Sequence, residues 1–148
     1  MPSTLSPGDG HDVLARYKLA WESRDPDLAV AMFSPEAEAR HDPFDPPLVG
    51  GEAIRAHWNR VAAAQGHVEF DAERVWVSGM TVLASWHAAY TLRASARRLR
   101  ARGFMTLELT SDGLVTRLRE WSIARDVGMD HGLAAVDPAA GSREGHGE

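Results

Sequence analysis

The stretch that decides the fold class is residues 67–92, which read HVEFDAERVWVSGMTVLASWHAAYTL. Two runs rich in Val, Trp, Thr and Tyr, residues 67–77 and 81–92, flank the pair Ser78-Gly79. Alternating or continuous apolar runs of this length are typical of strands, and a Ser-Gly pair between them favours a tight turn. The stretch therefore predicts an antiparallel hairpin.

The chain that follows predicts two more strands, over residues 102–110 and 114–124, joined by a turn at residues 111–113. The Arg-rich stretch 93–102 is predicted to connect the second and third strands, with the guanidinium stems lying over the sheet. An anionic ligand or partner is a second interpretation of the same arginines.

Three helices are predicted before the hairpin. The first spans residues 11–22, the second begins at Asp25-Pro26 and ends at Ser34-Pro35, and the third opens at Gly50-Gly51. A short strand is predicted over 37–42. The apolar stripes at helical spacing are Val13, Tyr17 and Trp21 on the first helix, Leu28, Ala31 and Met32 on the second, and Ile54, Trp58 and Val61 on the third.

Helices followed by hairpin-connected strands predict an α+β fold, with the helices packed on one face of an antiparallel sheet. At 148 residues the chain is long enough for one domain. We predict that domain over residues 11–127, with disordered tails over 1–10 and 128–148, which are rich in Gly, Pro and Ala.

Composition excludes several classes of protein. The chain is 44% hydrophobic and 25% charged, as ordinary globular proteins are. It has no cysteine, which excludes disulfides and thiolate catalysis, and its net charge is -5, which disfavours nucleic acid and anionic membranes as partners. With no apolar stretch long enough to span a bilayer and no leader sequence, a cytoplasmic location is predicted.

Short motifs follow one another in a fixed order along the chain. They are Arg16-Tyr17, Trp21, Arg24-Asp25-Pro26-Asp27, Met32-Phe33-Ser34-Pro35, Asp42-Pro43, Gly51-Glu52-Ala53-Ile54, Asp112-Gly113 and Arg119-Glu120-Trp121. This ordered set resembles the nuclear transport factor 2-like superfamily, and within it the SnoaL-like branch. The resemblance implies a cone-shaped fold, in which a curved sheet wraps around helices and leaves a deep apolar cavity, and it implies a homodimer.

Four polar residues are candidates for catalysis. Asp42 lies where a strand enters a Pro-rich loop, and its segment resembles the one that bears the base of ketosteroid isomerases, although strict spacing places His41 there instead. Tyr17 resembles the oxyanion-hole tyrosine of those enzymes. Glu120 resembles a carboxylate of limonene-epoxide hydrolases, but a lone Glu on a strand more commonly pairs with an Arg across the sheet.

The resemblance to either enzyme is incomplete. Met105 occupies the position of the isomerases' second oxyanion donor and cannot donate a hydrogen bond. The strand segment Ser85–Ala89 lacks the Arg and Asp that the epoxide hydrolases require. The sequence therefore predicts neither a steroid-type isomerase nor a limonene-type hydrolase.

The remaining candidates concern the ligand. The residues predicted to line an apolar pocket are Trp21, Phe44, Trp58, Trp86, Tyr90 and Met105. His57 and His87 are further histidines of interest, with His87 facing away from Trp86. No spacing suggests a metal site, and no cofactor is expected.

Three functions remain open. The first is cofactor-free acid/base chemistry on a small apolar molecule, such as isomerisation, dehydration or cyclisation, with Asp42 or His41 as base and Tyr17 as donor. The second is a binding or accessory protein without catalysis. The third is a dimeric scaffold whose cavity is filled by its own side chains, with Trp86 and Met105 as plugs.

Overall fold

The computed structural model describes residues 4–131, and these form an α+β fold with three helices and one curved, unclosed sheet of six strands. The predicted fold class is confirmed. The sheet order is β2-β1-β6-β5-β4-β3. The elements are α1 (Pro7–Ser23), α2 (Pro26–Ala31), β1 (Phe33–Arg40), β2 (Leu48–Val49), α3 (Gly51–Ala64), β3 (Gln65–Ser78), β4 (Thr81–Leu92), β5 (Arg97–Leu109) and β6 (Val115–Met129).

The predicted tails are only partly within the described residues, because 1–3 and 132–148 lie outside them. In the described part of the chain, α1 begins at Pro7 rather than at the predicted His11. The Ser6 hydroxyl accepts from the Asp9 amide at 3.2 Å, and the Asp9 carboxylate accepts from the Ser6 amide at 2.8 Å. This reciprocal capping box satisfies two backbone donors, so the helix starts inside the predicted tail.

The sheet has two different faces. On β4, Val82, Ala84, Trp86 and Ala88 alternate with more exposed residues and are buried against the helices. We call the helix-covered face the inner face and the opposite one the outer face. As predicted, Trp86 lies on the inner face, while His87 lies on the outer face beside Glu73.

One pair of strands departs from the predicted antiparallel sheet. β1 pairs with β6 in parallel, with Phe33 opposite Val115 and Ala39 opposite Leu118. The strands β3 to β6 are joined by tight turns, which force antiparallel neighbours. β1 reaches β6 only after α3 and four further strands have intervened, so no turn fixes its direction.

The boundary between α2 and β1 differs from the prediction. Asp25 caps α2 and Pro26 begins it as expected, but the helix ends at Ala31. Of the predicted apolar stripe only Met32 is buried, because Leu28 and Ala31 are exposed and Ala29 is buried instead. The Val115 amide donates to the Met32 carbonyl at 2.8 Å. Pairing with β6 therefore takes up the segment that was predicted to complete the helix.

The Arg-rich stretch is mainly a strand. β5 begins at Arg97, and its partner β6 extends to Met129, beyond the predicted end at 124. Leu99 and Ala101 lie on the inner face between arginines that lie on the outer face.

Among residues 4–131, no helix is long and apolar enough to cross a membrane. The cytoplasmic location stays a prediction.

Candidate functional site

A buried polar cluster joins three of the predicted site residues. Tyr17 projects from α1 towards the sheet, Glu120 lies on the inner face of β6, and His41 follows the end of β1. The Tyr17 hydroxyl donates to Glu120 Oε2, and His41 Nδ1 lies 2.8 Å from Glu120 Oε1. Tyr17 is 2% exposed and Glu120 is 7% exposed. We call these three residues the Tyr-Glu-His cluster.

The hydrogen bonds within this cluster define the state of His41. An ionised carboxylate can only accept hydrogen bonds, so His41 Nδ1 carries the proton that it shares with Glu120. The other ring nitrogen, His41 Nε2, is buried and has no hydrogen-bond partner among residues 4–131. A neutral His41 therefore holds its free lone pair at Nε2, in the arrangement that a general base requires.

His57 forms one wall beside His41. The two imidazole rings stack with centroids 4.0 Å apart and planes 9° from parallel. Burial, followed by repulsion from His41 and Arg60, lowers the pKa of His57 to about 3. His57 is consequently neutral near pH 7, so a positive charge that develops on His41 does not meet a second cation across the stack.

Aromatic side chains from α1, α3 and β3 surround Tyr17. Tyr17 makes edge contacts with the rings of Trp21, Trp58 and Phe70, at centroid distances of 6.0, 5.8 and 5.1 Å. This burial, the charge of Glu120 and their hydrogen bond raise the pKa of Tyr17 well above 10. Tyr17 thus keeps its proton and acts as a donor.

Most of the predicted ligand-binding residues also meet at the inner face. Trp86 contacts Trp21 and Phe70 at centroid distances of 6.1 and 5.6 Å, and Tyr90 contacts Trp21 at 5.9 Å. Met105 is fully buried and is paired with Glu120 in the register of β5 and β6. The residue positions predicted on the inner face are therefore adjacent in the structure.

Two predicted site residues lie away from this cluster. Asp42 is exposed, and its carboxylate accepts from the Phe44 amide at 2.8 Å, which is the turn-capping role of an Asp before Pro. Phe44 is 95% exposed. The loop turns outward after His41, so Asp42 and Phe44 lie outside the Tyr-Glu-His cluster. Which of His41 and Asp42 occupies the base position stays a prediction.

Glu120 also differs from its most common expectation, since Tyr17 and His41, and not an Arg across the sheet, are its partners. The sequence reasoning gave no role to Phe70 and left His57 without one. Alternation with the buried Val68 was a signal for Phe70. The stacking of His57 on His41 joins α3 to the end of β1, and no local pattern encodes that contact.

No three His, Asp or Glu side chains come together as a metal site within the described part of the chain. The absence of a metal and of a cofactor stays a prediction. A groove of about 850 Å³ lies on the outer face, lined by residues that include His87, Arg100, Arg102 and Ile123. It is separated by the sheet from the Tyr-Glu-His cluster.

Residues 13–118 match the sequence profile of the SnoaL-like domain, which spans most of the chain. This chain belongs to the SnoaL-like family. The expected membership in the nuclear transport factor 2-like superfamily is thereby confirmed. The SnoaL-like match contains Tyr17, His41 and His57 and ends two residues before Glu120. The chain matches no curated protein sequence.

Solved structures share the SnoaL-like fold. One is the epoxide hydrolase/cyclase-like enzyme SalBIII, which has a role in pyran ring formation in the polyether salinomycin. It is 20% identical to this chain, the match covers 82% of this chain and 95% of that chain, and the TM-score is 0.71. An epoxide hydrolase of M. tuberculosis, similar to limonene-epoxide hydrolase, is 17% identical, with 78% and 84% covered and a TM-score of 0.66. A protein of Catenulispora acidiphila with a ketosteroid isomerase-like fold, in complex with trimethylamine, is 13% identical, with 79% and 86% covered and a TM-score of 0.68. Identities this low show a shared fold and no more.

Proposed function

We propose that this SnoaL-like protein binds a small apolar organic molecule beside the Tyr-Glu-His cluster and moves a proton on it without a cofactor. The observation that carries the proposal is His41 Nε2, a buried acceptor with no partner among residues 4–131. A buried polar atom without a partner costs free energy, and at an enzyme site that cost is offset when a substrate supplies the partner.

The cluster gives each side chain a part in such a step. His41 Nε2 takes a proton from a carbon acid or a hydroxyl group, and Glu120 holds the ring in place and stabilises the imidazolium that forms. Tyr17 donates to Glu120, so its role is to position that carboxylate. This assignment replaces the predicted direct donation from Tyr17 to an oxyanion.

The proposal covers those isomerisations, dehydrations and cyclisations in which a base first removes a proton from the substrate. The enzyme SalBIII, which shares the fold, is described as cyclase-like and takes part in forming a pyran ring. The aromatic walls around Tyr17 favour a ligand that is apolar or contains rings. These observations support the class of reaction and of ligand.

The test compares His41→Asn with Asp42→Asn in a panel of terpenes, steroids and aromatic polyketides. Ligands are first found by thermal shift, where a compound at 100 times its dissociation constant adds about 2.7 kcal/mol of stability. Turnover, or exchange of a ligand's acidic C–H in D₂O, is then measured by NMR. We expect His41→Asn to lose at least about 100-fold in rate, the usual contribution of a general base.

Asp42→Asn is the matched control, because it changes the neighbouring residue, which is exposed and only caps a turn. We expect it to retain the rate of the native protein. Equal rates for the native protein and His41→Asn would remove His41 as the base, and a loss confined to Asp42→Asn would restore the alternative assignment.

One observation favours a second function, that of a scaffold without an open cavity. Met105 is fully buried, Trp86 is 3% exposed, and the rings of Trp21 and Phe70 pack against Trp86. This packing supports the interpretation of Trp86 and Met105 as plugs. If none of the compounds in a broad panel changes the melting temperature, that result favours this second function.

We also propose that the protein forms a homodimer through the half of the outer face that carries Trp76, Phe104 and Trp121. Trp76 and Trp121 are 43% and 42% exposed. The rings of Trp76 and Phe104 are 6.2 Å apart, and Phe104 lies opposite Trp121 in the register of β5 and β6. A continuous patch of exposed aromatic surface is typical of an interface between proteins.

A further inference from the structure

The groove of about 850 Å³ on the outer face has the dimensions of a small-molecule site, although it lies on the opposite side of the sheet from the Tyr-Glu-His cluster. β5 and β6 contribute Arg100, Arg102, Ile123 and Arg125 to its lining, and β3 contributes the carboxylates of Glu69 and Asp71. We call it the arginine groove. It combines arginines that have no ion-pair partner among residues 4–131 with exposed aliphatic side chains, and this combination indicates a ligand that carries both a negative charge and an apolar part.

Two of its arginines face each other without a counterion. Arg100 on β5 lies directly opposite Arg125 on β6. Side chains so placed on one face have Cβ atoms about 5 Å apart, and like charges there destabilise the pair. Neither arginine forms an ion pair among residues 4–131, and both are exposed.

Their neighbours, by contrast, are compensated. Arg98 lies 3.2 Å from the Glu69 carboxylate, and Arg102 lies 2.9 Å from the Glu73 carboxylate. Within the described part of the chain, carboxylates therefore form ion pairs with the arginines two positions before and after Arg100, but with neither arginine of the pair in the middle. The charge left unbalanced is local to Arg100 and Arg125.

Apolar side chains lie beside this pair. Ile123 is 81% exposed and Val127 is 48% exposed, and both line the groove two residues from Arg125 on either side. Exposed branched aliphatic side chains beside an unpaired cation offer an apolar group a contact while an anion is held by the guanidinium groups.

We infer that the arginine groove binds a small amphipathic anion, an organic carboxylate or sulfate ester with an aliphatic or ring portion. The anionic group lies between Arg100 and Arg125, where two guanidinium forks offer planar pairs of donors. The apolar portion packs on Ile123 and Val127. This site is independent of the proposed function, because it shares no residue with the Tyr-Glu-His cluster.

The test is an NMR titration at constant ionic strength with octanoate, octyl sulfate, octanol and inorganic phosphate. We expect octanoate or octyl sulfate to shift the amide signals of Ala89, Ala101 and Ile123 in the groove. Arg100→Gln and Arg125→Gln should each weaken that affinity about tenfold, the effect of losing one charge-assisted hydrogen bond. The stronger of the two anions identifies the headgroup.

Arg119→Gln is the matched control, because Arg119 is an exposed arginine on the outer face of the same strand, forms no ion pair among residues 4–131 and does not line the groove. It should leave the affinity unchanged. Ile123→Ser should weaken octanoate binding and leave phosphate binding as it was.

Octanoate affinity that is the same in the native protein, Arg100→Gln and Arg125→Gln would overturn the inference. So would phosphate binding as tightly as octanoate, or octanol binding as tightly as octanoate, since the site would then lack its apolar or its anionic component. Each of these results leaves the test of His41 unaffected.

Discussion

At the scale of single residues, the geometry of the candidate site depends on which side chains donate hydrogen bonds to the Glu120 carboxylate. Its two carboxylate oxygens accept from Tyr17 and His41, so the carboxylate is satisfied although it is buried. Burying a carboxylate without such partners costs roughly several kcal/mol of folding free energy, because the charge loses its hydration. The bond between His41 Nδ1 and Glu120 Oε1 orients the His41 ring and leaves Nε2 without a partner among residues 4–131.

The depressed pKa of His57 gives a prediction about pH. Its pKa is about 3 when folded, against 6.5 for an ordinary histidine. A pKa lowered by folding contributes stability above pH 6.5, and that contribution is lost as the pH falls towards 3, because the unfolded chain then binds a proton that the folded chain does not. The free energy of unfolding, measured with urea, should therefore decrease from pH 7 to pH 4.

The control for this prediction is His57→Phe, which keeps a flat ring against His41 and cannot titrate. Its free energy of unfolding should decrease less over the same range. NMR provides a direct check, because the Cε1 proton signal of His57 should not shift between pH 8 and pH 5. A shift with a midpoint near 6.5 would contradict the neutral state assigned to His57.

At the scale of elements, β5 fits against β4 because of one glycine. Gly103 lies opposite Trp86, and a Cβ atom at this position would be 2.4 Å from Trp86 Cζ2 and 2.7 Å from the Trp121 carbonyl oxygen. Both distances are shorter than real contacts, so only glycine leaves room for the indole ring.

We therefore predict that Gly103→Ala destabilises the protein by about 1–3 kcal/mol, the usual cost of overpacking a core. Thermal and urea unfolding would measure it. Gly51→Ala is the control, because a Cβ at Gly51 meets nothing within 4 Å and its backbone conformation suits any residue. The double variant with Gly103→Ala and Trp86→Leu should recover part of the free energy of unfolding that Gly103→Ala loses, because the smaller side chain removes the clash with the indole ring. If nothing is recovered, the clash with the Trp121 carbonyl oxygen dominates.

The elements differ in how well the sequence predicts them. β4 was predicted at its observed bounds, because Val82, Ala84 and Trp86 alternate with less buried residues and the turn at Ser78-Gly79 fixes the hairpin. The start of β5 was missed, because only Leu99 and Ala101 carry apolar character between arginines, and a strand with one charged face then resembles a solvated loop.

At the scale of the whole molecule, the sheet separates two surfaces with different chemistry. The inner face carries the Tyr-Glu-His cluster among aromatic rings, and the outer face is divided between a patch of exposed aromatic side chains and the arginine groove. A ligand on one face does not contact the residues of the other.

The proposed homodimer gives a prediction at this scale. Trp121→Ser removes the side chain at the centre of the aromatic patch, and we expect it to shift the native dimer to a monomer in sedimentation equilibrium. Leu19→Ser is the control, since Leu19 is 57% exposed on α1 and should not affect association. A native protein that sediments as a monomer would contradict the proposal.

The sequence by itself determined the fold class, the three helices and most strands. These follow from periodicity and turn residues, which are local properties of the chain. Only the tertiary structure decided that Tyr17, His41 and Glu120 meet, that His57 stacks on His41, and that Asp42 points into solvent. Those contacts join residues up to 103 positions apart, and they depend on the parallel pairing of β1 with β6. No short-range pattern specifies that pairing, because no tight turn connects the two strands.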